Sequence, residues 1–164
     1  MIDRVLSKSS RGIIYNVSPM TMDIEYWREK ANKGLSAGLI TMGECYLTGR
    51  GVEKDYAEAY RYLSEAADKG VSTGCYLLGT MFEEGLGVAR DIQQALLLYE
   101  QAARTNNPYA LVHIARIYAE GKSGTENVAK ATEIYRYIIS MKSDFDDPDH
   151  ELLVEASTFI KMNG

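Results

Sequence analysis

The sequence predicts an all-α fold, a solenoid of about three and a half helix-pair repeats of 36 residues closed by a C-terminal capping helix. Three observations predict it. Residues recur at one spacing: Gly43 with Gly79, Gly49 with Gly85 and Gly121, Gly51 with Gly87, Asp55 with Asp91, Ala59 with Ala95 and Ala131. Within each copy the apolar residues advance by three and four, the step of a helix face. Glycines fall between the two helices of each copy, where the backbone must turn. A constant period of this size marks stacked units whose product is a surface.

The elements follow in order. Residues 1–22 form an N-terminal segment, with a degenerate first helix expected in residues 2–9. Residues 23–34 hold a partial repeat, because Tyr26, Ala31 and Gly34 sit one period before Tyr62, Ala67 and Gly70. Full repeats span 35–70, 71–106 and 107–143. In the first, Leu39, Met42, Gly43 and Tyr46 share a helix face, with Ser36 expected as N-cap. The second helix opens at Asp55-Tyr-Ala-Glu58, read as a capping box with aspartate in the cap position. Asp91-Ile-Gln-Gln94 repeats it, and Asn127 caps the third without a box partner.

Small residues at Gly43, Gly79 and Ala115 lie mid-helix. Glycine costs about 1 kcal/mol there relative to alanine, a cost tolerated where two backbones must approach closely. Residues 144–164 give the cap, with Asp147 expected to open a helix whose first position is Pro148. Leu152, Ala156, Phe159 and Ile160 supply its apolar side.

Composition narrows the function. Hydrophobic residues are 46% of the 164-residue chain, enough for one continuous core. The net charge of −5 argues against a nucleic-acid or anionic-membrane surface, which wants clustered Lys and Arg. No apolar run approaches the length of a membrane span, and Gly12–Val17 is too short for a secretory leader. Cys45 and Cys75 do not occupy equivalent places in neighbouring repeats, so reduced, buried thiols are expected. Cytoplasmic residence is the expectation.

Candidate chemistry is sparse. Gly121-Lys122-Ser123 resembles the tail of a phosphate loop but lacks the upstream glycine and strand, so it reads as an inter-helix turn. Asp144, Asp146, Asp147 and Asp149 lack the glycine of a calcium loop, so a charged helix start is expected there and no metal. His113 and His150 have no triad or paired-ligand spacing, and His113 reads as a packing or rim residue. The sequence therefore predicts no enzyme, no cofactor and no metal.

The string Met42-Gly43-x-x-Tyr46-x-x-Gly49-x-Gly51-Val52-x-x-Asp55, followed by Ala59 and Ala66-Ala67, resembles a Sel-one-like repeat. Leu78-Gly79-x-x-Phe82-x-x-Gly85-x-Gly87-Val88-x-x-Asp91 matches it again, and the copy around Gly121 is worn. That family is a bacterial-rich relative of the tetratricopeptide repeats. The resemblance implies a right-handed α/α superhelix whose first helices line a concave face, and a role in binding proteins as adaptor, scaffold or regulator. It places Ile40, Glu44, Leu47, Tyr76, Thr80, Glu83, Tyr109, Val112 and Arg116 on that face. The expected surface is an apolar strip, Ile40-Tyr76-Val112 with Tyr109, edged by glutamates and suited to a partner peptide or helix. An inhibitor or immunity-type protein that occludes one toxin or enzyme is the alternative. Some secreted family members staple each repeat with a cysteine pair; Cys75 matches one place, but Ala67 stands at the other.

Overall fold

Eight helices among the described residues, most of them taken in pairs, build a right-handed superhelical solenoid. The computed structural model describes residues 8–9, 12–13, 23–124, 126–141 and 151–163. Helix α1 (Ile24–Asn32) is the second helix of the partial repeat. Helices α2 (Ser36–Thr48) and α3 (Tyr56–Asp68), α4 (Ser72–Glu84) and α5 (Ile92–Ala103), and α6 (Pro108–Ala119) and α7 (Val128–Ser140) are the three full hairpins. Helix α8 (Glu151–Asn163) packs on α7 and α6 as the expected cap. The Asp147–Pro148 helix start lies outside the described residues.

One expectation fails at the front. Lys8–Ser9 (β1) pairs antiparallel with Gly12–Ile13 (β2), so the proposed helix over 2–9 does not hold at its described end.

The core is a chain of overlapping clusters rather than one centre. Leu39, Met42 and Tyr62 pack with Ala31 of α1; Leu63, Leu78, Met81 and Leu98 join the first and second hairpins. Tyr99, Ile114 and Ile117 join the second and third, and Tyr135, Ile138, Leu152 and Leu153 fix α8. Each hairpin leaves one apolar flank bare, and only its neighbour covers it. Burying a Leu, Ile or Met side chain is worth about 1.5–3 kcal/mol, so stability is spread over the junctions.

The turns are copies as well. Gly85 closes α4 at φ 73°, the left-handed region a side chain resists, and its N–H returns to the Met81 carbonyl. The N–H of Asp55, Asp91 and Asn127 then donates back to the carbonyl of Tyr46, Phe82 and Tyr118 at 3.0, 2.9 and 2.8 Å. That bond corrects the capping-box expectation. Asp55 does cap α3, accepting from Ala57 and Glu58 N–H at 2.9 and 3.1 Å. Its own N–H is already committed to Tyr46, so Glu58 turns to Arg61 at 2.9 Å instead. Asp91 caps α5 from the Gln94 N–H in the same way, its N–H committed to Phe82. Ser36 is corrected too: α2 is capped by Leu35 with no side-chain bond, and Ser36 lies inside the helix.

The expected backbone approach at Gly43 and Gly79 is corrected: each makes room for a large side chain of another helix rather than for a second backbone. A Cβ on Gly79 would lie 2.8 Å from Cε1 of Tyr99, and one on Gly43 would lie 2.5 Å from Cδ2 of Leu63. Leu63 and Tyr99 are themselves one period apart, so the same contact is built twice with different fillers. Cys45 and Cys75 are both buried. Burial pushes the Cys75 thiol up from its ordinary range, away from thiolate chemistry.

Candidate functional site

The first helices of successive hairpins meet side by side, and three kinds of contact hold them. Ile40 and Leu47 of α2 and Leu77 of α4 are half-buried against one apolar cluster that includes Leu63 of α3 and Leu78 and Met81 of α4. Between α4 and α6 the contact is aromatic and charged. Between α6 and α8 it is ionic.

The α4–α6 junction is built on Glu83, which is 9% exposed. Its Oε2 accepts from the Tyr99 hydroxyl at 2.8 Å and meets Nδ1 of His113 at 2.7 Å. Its Oε1 meets Nζ of Lys122 at 3.4 Å, while that ammonium lies closer to Glu120 at 2.8 Å. Burial pushes the Glu83 carboxyl up, but the bonds from His113 and Tyr99 and the nearby charge outweigh it and hold it down to about 2. Tyr99 is pushed above the ordinary phenol range by burial and by the carboxylate beside it. Around this carboxylate stand rings: Tyr99 lies 4.9 Å from His113, and Tyr76 lies 5.6 Å from His113 and 5.8 Å from Tyr109. The Thr80 hydroxyl lies 3.3 Å from that of Tyr99. Tyr109 is 46% exposed at the outer edge of the group.

At the next junction Arg116 grips Glu155 of α8 with two nitrogens, and Tyr135 donates to the same carboxylate at 2.7 Å. Burial raises the Glu155 carboxyl, and the Arg116 and Tyr135 bonds more than reverse that. A cavity of about 520 Å³ opens beside this pair, walled by Ala119, Tyr135, Phe159 and Met162.

This geometry redraws the strip expected from sequence. Ile40, Glu44, Leu47, Tyr76, Thr80 and Arg116 are half-buried, and Tyr109 is exposed. Val112 is 1% exposed and belongs to the core, because α8 and α7 cover it. Glu83 is no rim charge but a buried one, and Arg116 is engaged by α8.

Residues 37–71 and 72–107 match the family model described as Sel1 repeat. The chain carries two Sel1 repeats. Their array is similar in fold to a Sel1 repeat protein from Oxalobacter formigenes, at TM-score 0.65 and 24% identity over 86% of this chain and 64% of that one. It is similar at the same score and identity to a protective antigen of uropathogenic Escherichia coli strains with an SLR fold, over 86% of this chain and 33% of that one. The Helicobacter pylori cysteine rich protein B follows at TM-score 0.54 and 21% identity, over 72% and 84%. The chain spans less than two thirds of the length of the first two. No curated protein matches the chain. Sel1 repeat proteins are in general protein-interaction modules, typically without catalysis.

Sequence reasoning missed the Glu83–His113 pair, although the Sel1 array carries its signal. One period away from Glu83 stand Leu47 and Ala119, and one and two periods before His113 stand Leu77 and Thr41. Two polar departures from an otherwise small or apolar repeat position, on adjacent first helices, point at each other. Among the described residues no group of side chains could hold a metal ion, and no helix is long and apolar enough to cross a membrane.

Proposed function

We propose that the Sel1 array is a non-catalytic adaptor or regulator that holds a peptide or helix of another protein along the face formed by α2, α4 and α6. The observation that carries this reading is Tyr109, a large ring left 46% exposed at the junction of two repeats and backed by Tyr76. Ile40, Leu47 and Thr80 continue the surface, with Glu44 at its edge. An exposed aromatic on a rigid support loses little entropy when a partner covers it. Both oxygens of Glu83 face side chains of the chain itself, which suits a structural carboxylate better than an acid–base catalyst.

Partner capture from the native cell, with crosslinking to map contacts, tests the reading. Tyr109→Ala is expected to lose capture while helicity and melting are kept. Tyr76→Ala is a poorer probe, since Tyr76 also packs on Tyr99 and His113. Crosslinks confined to the outer helices α3, α5 and α7 would overturn the groove. A single stoichiometric enzyme in the capture would favour the inhibitor reading, and several partners the scaffold.

A further inference from the structure

Resting on the groove reading above, we propose that Glu83 is the anchor point for a basic side chain, lysine or arginine, of the partner, and that Lys122 is a resident cation which that side chain displaces. Four observations converge on this carboxylate. It is charged, because two donors and nearby positive charge keep it ionised despite burial. Its acceptor capacity is unevenly used: Tyr99 and His113 both bind Oε2, and Oε1 has a long contact of 3.4 Å. The ammonium making that contact has a better partner in Glu120 at 2.8 Å, so it can leave without losing its own pairing. Tyrosines cluster beside its His113 partner, with Tyr76 5.6 Å from His113 and 5.8 Å from Tyr109, and tyrosine faces favour a cation.

Lys122 sits on the turn after α6, outside any helix, whereas Glu83, Tyr99 and His113 lie on three packed helices. The fixed portion of the site is therefore the carboxylate and its donors, and the movable portion is the cation. A buried carboxylate is costly to leave unpaired, so an incoming cation is discriminated strongly from a neutral side chain of equal length. The acidic balance of the whole chain, net −5, favours the same class of partner through steering.

The probe is a short alanine–serine peptide with one central lysine, compared with the same peptide carrying norleucine. Backbone amide shifts of the isotope-labelled full chain are followed during titration. The lysine peptide is expected to shift amides around Tyr76, Glu83, His113 and Lys122, and the norleucine peptide is not. Lys122→Ala removes the competitor and tightens the lysine peptide by about two- to fivefold, the range of one partly exposed ion pair. Glu83→Gln abolishes the shifts, with a circular-dichroism melt to show that the variant is folded. Should Glu83→Gln unfold, Lys122→Ala decides alone. Equal shifts with norleucine, or no tightening in Lys122→Ala, overturn the proposal.

The two readings separate cleanly. Partner capture lost in Tyr109→Ala but kept in a folded Glu83→Gln leaves the groove standing and removes the cation anchor. Peptide binding at Glu83 with capture indifferent to Tyr109 does the reverse.

Discussion

Gly38 offers the sharpest test of how the array is stacked. A methyl placed there would collide with the backbone nitrogen of Ala31 and lie 2.6 Å from the carbonyl carbon of Lys30. These are backbone atoms of α1, and no rotamer change can relieve the contact. Overpacking costs about 1–3 kcal/mol, and alanine returns at most about 1 kcal/mol of helix propensity. Because the obstacle is rigid, the upper end applies, and Gly38→Ala is expected to cost about 2 kcal/mol net. In a cooperative unit of this size that lowers the melting temperature by about 4–8 °C. Thermal melting by circular dichroism reads the loss, and amide hydrogen exchange locates it. Exchange should quicken in α1, because the array can shed its terminal helix more cheaply than it can separate adjacent hairpins. An unchanged or higher melting temperature with α1 protection intact would refute the backbone contact and the close packing of α1 on α2.

Three further outcomes are expected. Glu83 has its carboxyl lowered from 4.5 to about 2, so its contribution to stability is complete above pH 4.5 and is lost as pH falls towards 2; Glu83→Gln should flatten the denaturant midpoint across that window. Asp55→Ala should cost about 1 kcal/mol in urea unfolding, as a lost N-cap, whereas Ser36→Ala should fall within about 0.5 kcal/mol of the parent. Glu155→Gln should free α8 from Arg116, seen as faster amide exchange in residues 151–163 with α2–α5 unchanged, because solenoid junctions are local.

The residues show how far a one-dimensional pattern can be read. Period and helical step placed the helices to within a residue or two among the described residues from 23 onward, since each hairpin repeats the same local instructions. Gly43 and Gly79 were legible as tight places because glycine in mid-helix is unfavourable unless something fills its place, but the filler is a side chain, Leu63 or Tyr99, and not a second backbone. The caps were half legible: Asp55 and Asp91 do cap, yet whether Glu58 or Gln94 closes a box depends on where the aspartate N–H goes. That is settled by the carbonyls of Tyr46 and Phe82, nine residues upstream on another helix.

What the chain determined by itself is the unit and its count, because propensity, spacing and turn chemistry act over neighbours in sequence. What only tertiary structure decided is the character of the face. Val112 looked like its equivalents Ile40 and Tyr76, but α7 and α8 bury it. Glu83 looked like an exposed glutamate, but His113, 30 residues on, and Tyr99 close over it. Burial and pairing belong to the space between helices, and a side chain's identity does not say which neighbour will fill that space.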